Sequence, residues 1–177
     1  MTVVPKFALQ FPIEEVRGYA SRFPSTGDDD GIAIGKAARA RGYYTRDEFV
    51  AVCRWKTARS APRVALNSSE DVERATRIAL LETSAEAERM EALRSLHGVD
   101  WATASVLLHL VDPERYPIID RRALHALGAH ARGSYSYGFW QEYVDACVRL
   151  AGEAGVDGRT FDQALWQWSK EQDSGPY

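Results

Sequence analysis

Apolar positions recur at helical spacing along nearly the whole chain, and no stretch alternates with period two over a convincing length. Pro12 sits where a first helical turn accepts it, ahead of "IEEVRGYASRF", and Asp28 to Asp30 can cap a helix that runs through Ala40 until Gly42 stops it. Thr45 with Glu48 forms a capping-box pattern before "FVAVCRWKTAR", which puts Trp55 and Lys56 in the last turns of a helix that Pro62 ends. Ser68 or Ser69 caps the next helix, "DVERATRIALLE", and Thr83 with Glu86 opens "AEAERMEALRSL". From Trp101 to about Val111 the apolar residues go almost all round, the mark of a buried helix, and Asp112-Pro113 stops it. A helix from Asp120 to Gly128 follows, then a Gly/Ser/Tyr-rich connector, "RGSYSYG", and two amphipathic segments, "FWQEYVDACVRLAGEAG" and "TFDQALWQWSKEQ". The pattern predicts an all-α protein of roughly eight helices over 1–177, one compact domain or two closely packed lobes, without internal repeats.

Composition narrows the class. With 45% hydrophobic and 27% charged residues over 177 positions, the chain can bury a substantial core. No apolar run approaches the roughly eighteen residues that span a bilayer, and the N-terminus lacks a basic region followed by an apolar signal core, so a cytoplasmic protein without membrane partners is expected. Cys53 and Cys147 are the only cysteines and lie far apart, which argues against a disulfide framework, a zinc site or an iron-sulfur cluster. His97, His109, His125 and His130 form no metal-binding spacing, and no nucleophile turn supports a Ser-His-Asp order. His109 is expected as a hydrogen-bonded core residue, and His125 as a residue that could line a cleft.

The net charge of −3 is unevenly spread. Between Gly31 and Leu66 the basic residues are Lys36, Arg39, Arg41, Arg46, Arg54, Lys56, Arg59 and Arg63, against only Asp47 and Glu48. Arg115, Arg121, Arg122 and Arg132 surround Asp120, while the stretch from Glu70 to Glu91 is acidic. One basic and one acidic face would suit a polyanion on one side; solvated helix faces are the plainer alternative.

Two short stretches carry chemistry. In "LHGVDWATASVLLHL" a Leu-x-Gly-Val-x turn between helices directs successive backbone N–H groups outward at the second helix's N-terminus, where a phosphate oxygen can bind. In "YPIIDRRALHALG" a lone acid closes an apolar run. Together they resemble the helix-hairpin-helix (HhH-GPD) DNA glycosylase superfamily. Its pattern is Leu-Pro-Gly-Val-Gly, then Thr-Ala, then an apolar pair and an essential Asp opening the next helix; Leu96, Gly98, Val99, Thr103, Ala104, Ile118, Ile119 and Asp120 match it in order and spacing.

The resemblance implies a helix-hairpin-helix over 84–111, a catalytic-Asp helix over 120–128 and a cleft between two lobes. It also implies a monomer acting on double-stranded DNA, with Gly98, Val99, Trp101, Thr103 and Arg121 on the DNA backbone. Asp120 would stabilise oxocarbenium character on the sugar of a flipped nucleotide as its N-glycosidic bond breaks. At a helix N-terminus beside Arg121 and Arg122 it is expected to stay ionised. The plainer alternative makes Asp120 only the N-cap of "RRALHAL" in a non-catalytic DNA-binding module. An α-helical enzyme on free nucleosides is a third class, disfavoured by the lack of a nucleotide-phosphate loop.

The departures from the pattern matter too. Strand-cutting relatives carry a Schiff-base lysine where this chain has Ala102, so a monofunctional enzyme that leaves an abasic site is expected, unless Lys56 reaches the pocket. No cofactor is implied, with a monovalent cation at the hairpin left open. Asp100 stands where the hairpin usually has glycine, and its charge beside a phosphate is unfavourable unless a cation bridges them. The substrate implied is a damaged base, in DNA repair, or a hypermodified base of foreign phage DNA, in defence. Tyr44, Trp55, Lys56, Tyr116 and Trp140 are the candidates for base pocket or wedge, with core packing the commoner use of such aromatics.

Overall fold

The computed structural model describes residues 6–25, 28–130 and 134–173. Among them every regular element is helical: a 3-10 turn Ile13–Glu15, α1 Val16–Ser21, α2 Asp28–Arg41, α3 Arg46–Lys56, a 3-10 turn Ala58–Ser60 and α4 Ala61–Val64. Then come α5 Ser69–Leu80, α6 Glu86–Arg94, α7 Trp101–Val111, α8 Arg121–Ala126, α9 Tyr137–Ala154 and α10 Gly158–Gln172. The all-α expectation holds, with ten α-helices where roughly eight were expected.

The extra elements and shifted ends have local causes. The helix opened by Thr45 does carry its capping box, but it stops at Lys56 because Thr57 turns extended at φ −158°, ψ 115°. Pro62, expected to end that helix, instead lies in the first turn of α4, where its missing N–H costs nothing. The expected Thr83 and Glu86 box is displaced by two residues: the Glu88 carboxylate accepts from Ala85 N at 2.9 Å, and α6 starts at Glu86. The first helix ends at Ser21, and Tyr137 and Gly138, expected in the connector, belong to α9 behind a Ser136 cap. Residues 132 and 133 of that connector, Arg132 included, lie outside the described residues.

The chain divides into two compact units, Ser25–Asp112 and the combination of Met1–Pro24 with Pro113–Tyr177. In the first, α2, α3 and α6 pack on α7. That helix is apolar almost all round and buries Trp101 and every residue from Thr103 to His109, with Leu107 and Leu108 each worth about 1.5–3 kcal/mol on burial. Gly35 lets α2 approach so closely that a Cβ there would collide with the Leu110 carbonyl oxygen. Tyr44 ties α7 from outside, its hydroxyl donating to Leu107 O at 2.7 Å.

In the second unit, α1 and α8 pack on α10. Phe11 stacks on Trp168 with centroids 5.5 Å apart, and the segment before it pairs with the end of α8 through Ala8 N to Leu127 O and Gln10 N to Ala126 O, both 2.9 Å. No helix among the described residues is long and apolar enough to cross a membrane.

Candidate functional site

The loop between α6 and α7 is a tight turn from Ser95 to Asp100. Gly98 sits at φ +79°, a left-handed value that L-residues rarely adopt, and a Cβ there would lie 2.8 Å from Val64 Cγ2 and 3.0 Å from Val64 N. Glycine is required twice, by the backbone angle and by contact with α4. Asn67 fixes the turn from the side. Its buried amide accepts from His97 N at 2.8 Å and donates to His97 O and Val64 O at 2.9 Å each, pairing with His97 much as a neighbouring strand would. Arg46 holds the far side of that bracket by donating to Asn67 O and Ala65 O at 2.8 and 2.9 Å.

Asp100 adopts φ −99°, not a left-handed angle, so aspartate replaces glycine there without backbone strain. Its carboxylate caps α7 by accepting from Thr103 N at 2.8 Å. Across the junction, the Arg94 guanidinium lies over the Trp101 ring at 4.2 Å.

These facts sort the residues expected on the DNA backbone. The side chains of Val99, Trp101 and Thr103 are buried. Thr103 N donates to the Asp100 carboxylate and Val99 N reaches Leu96 O at 3.3 Å, so Thr103 is a capped core position. The N–H groups of Gly98 and Asp100, by contrast, make no hydrogen bond among the described residues. They are the donors the turn has to offer.

Asp120 belongs to the other unit. The run Tyr116 to Ile119 before it is buried, and the side chain itself is half-buried. It caps α8, accepting from Ala123 N at 2.9 Å at φ −149°. The backbone leading into it is fixed by Tyr143, whose hydroxyl donates to Ile118 O at 2.6 Å. Burial pushes the Tyr143 phenol far up, with the charges of Cys147, Asp162 and Asp120 adding to it, so this donor stays protonated. Arg121 is exposed with Nη2 3.8 Å from Asp173 Oδ2, and Arg122 makes the closer pair at 3.1 Å. His125 is exposed, with Nδ1 2.9 Å from Ser169 Oγ, and His109 is buried in α7.

The aromatic candidates separate by burial. Tyr44 and Trp140 are fully buried, and Tyr116, stacked on Trp140 with centroids 6.5 Å apart, is nearly so. All three rings are packed into the interior. Trp55 is 43% exposed, and Lys56 is half-buried in the last turn of α3. Neither Asn67 nor Tyr143 stands out in the sequence. Asn67 looked like part of the Asn-Ser-Ser start of α5, and Tyr143 like one more apolar position of α9. Among the described residues no group of three or more His, Cys, Asp or Glu side chains is placed to hold a metal ion.

Comparison with protein-family models, with curated proteins and with solved structures returns no match.

Proposed function

We propose that the chain is a monofunctional DNA N-glycosylase, with the α6–α7 turn acting as a helix-hairpin-helix hold on the DNA backbone and Asp120 as the catalytic carboxylate. The observation that carries this reading is the setting of Asp120. A half-buried carboxylate closes a buried apolar run and accepts from Ala123 N, and the backbone two residues before it is held by the Tyr143 bond to Ile118 O. A fixed carboxylate stabilises positive charge developing on a sugar without having to reorganise at the moment of reaction. The departing base takes the bonding electron pair and a proton, and water adds to the sugar carbon and gives up a proton to leave an abasic site. The two unpartnered amides of Gly98 and Asp100, beside the N-terminus of α7, suit a phosphate oxygen. Ala102 in place of the Schiff-base lysine supports hydrolysis without strand cutting. A modified base in duplex DNA, damaged or hypermodified, is the substrate class.

The second reading, a DNA-binding module without catalysis, is favoured by the fact that Asp120 does cap α8. Asp120→Asn separates the two, because asparagine caps as well as aspartate but carries no charge. Duplexes with a panel of modified bases, treated with alkali after incubation, should break with the native chain and about a hundredfold less or not at all with Asp120→Asn. Full base release by Asp120→Asn refutes the catalytic role. Tight duplex binding without release of any base supports the module.

A further inference from the structure

The strap between α3 and α5 packs directly against the α6–α7 turn, and its charges are unlike those of the rest of the molecule. Each of the other described arginines has a carboxylate, carbonyl or aromatic ring to rest on. Arg54, Arg59 and Arg63 have none among the described residues, and all three are exposed. Of the basic residues between Gly31 and Leu66, Arg39, Arg41 and Arg46 are committed to Val111 O, Glu48 and the Asn67 bracket. The uncommitted arginines of this segment are therefore Arg54 at the end of α3 and Arg59 and Arg63 in the strap, within a stretch where no acid occurs from Phe49 to Ser69.

That stretch borders the turn. Arg54 lies in the last turn of α3, Arg59 in the 3-10 turn Ala58–Ser60 and Arg63 in α4, and these elements fold back on one another. A Cβ at Gly98 would be 3.2 Å from Arg63 Cβ, and the Asp100 carboxylate is close enough to raise the Cys53 thiol. Asn67 locks strap and turn together by bonding Val64 O and His97 at once.

We propose that the strap and the turn form one platform for the phosphate backbone of duplex DNA. Arg54, Arg59 and Arg63 bind phosphates and supply the positive charge that lets one lie beside Asp100. The platform presupposes the DNA partner proposed above but not the catalytic role of Asp120. It answers the difficulty of an aspartate in a phosphate-binding turn with cations of the chain itself. Exposed arginines without a hydrogen bond, ion pair or ring contact contribute little to folding, so their removal reads on binding.

The test is binding of the full chain to a fluorescent duplex by anisotropy over a range of salt concentrations. Each lost phosphate contact lowers the slope of log affinity against log salt by about 0.9. The Arg54→Ala, Arg59→Ala, Arg63→Ala triple variant should lower it by about 2.7. Between about 50 and 200 mM salt the native chain then loses about fortyfold more affinity than the variant. Arg74→Ala, Arg77→Ala, Arg149→Ala removes as much charge from arginines already paired with Asp71, Glu73 and Glu153, and should leave the slope at the native value. An unchanged slope in the strap variant, or an equal fall in both, overturns the platform while leaving base release by the native chain to stand on its own. A native chain that binds no duplex overturns the DNA reading as well.

Discussion

Replacing Asn67 by alanine removes the bracket that joins turn and strap, and its cost can be worked from the geometry. Three hydrogen bonds of 2.8 to 2.9 Å disappear, to His97 N, His97 O and Val64 O, from a side chain that is 3% exposed. A net worth of about 1 kcal/mol each gives about 3 kcal/mol. The exposed His97 side leaves room for water to replace part of this, so about 2–3 kcal/mol is expected. Asn67→Asp is the sharper perturbation. It keeps an acceptor for His97 N but turns a carboxylate oxygen toward two carbonyl oxygens, so it should be no more stable than the alanine variant. Urea unfolding followed by tryptophan fluorescence and far-UV circular dichroism reads both. A loss below about 0.5 kcal/mol for Asn67→Ala would show that the bracket does not hold the turn. An aspartate variant more stable than the alanine one would refute the assigned bond directions.

Asp100→Asn keeps the α7 cap and removes a negative charge beside the proposed phosphate, so duplex affinity should rise severalfold, and more so when Arg63 is already alanine; equal effects in both backgrounds, measured by anisotropy, would deny that Arg63 offsets Asp100. Burial, with the Asp100 charge second, pushes the Cys53 thiol up to about 12, and burial pushes the Cys147 thiol higher still. Neither should react with a disulfide reagent at pH 8 until the chain unfolds, and prompt labelling of the native protein would contradict this. Because the folded state raises these values, stability is complete below the unfolded thiol value of 9.0 and falls as pH climbs from there toward about 12. The fall approaches about 1.4 kcal/mol per pH unit for each thiol, and Cys53→Ala should flatten it measurably between pH 9 and 10 in denaturant titrations.

Local signals were readable wherever the side chain acts on its own backbone. Thr45 with Glu48, Ser68, Asp100 and Asp120 all sit where their cap chemistry puts them, and the all-round apolar α7 is as buried as its pattern requires. The failures came where distant segments decide. Pro62 reads as a stop, but the extended Thr57 had already ended α3 and left the proline free to open another helix. Tyr44, Tyr116 and Trp140 carry the same aromatic chemistry as a base-stacking residue, and only packing shows that their rings face the interior. Asn67 pairs with His97 and Tyr143 with Ile118, thirty and twenty-five positions away along the chain, and no periodicity encodes such a bond. The basic excess between Gly31 and Leu66 was visible as a sum. Which cations remain uncommitted depends on where carbonyls and carboxylates come to lie.

The division of the chain has a consequence for how it is made. Residues 25–112 form a continuous unit, whereas 6–24 belong with 113–173. During synthesis the continuous unit emerges complete and can fold while the rest is still being added. The segment carrying Ala8, Gln10 and Phe11 must wait, because its partners Leu127, Ala126 and Trp168 come more than a hundred residues later. Those contacts close a loop of more than a hundred residues, the kind of non-local pairing that forms slowly. The bonds of Ala8 and Gln10 to the end of α8 therefore form on a chain whose turn and strap can already be assembled.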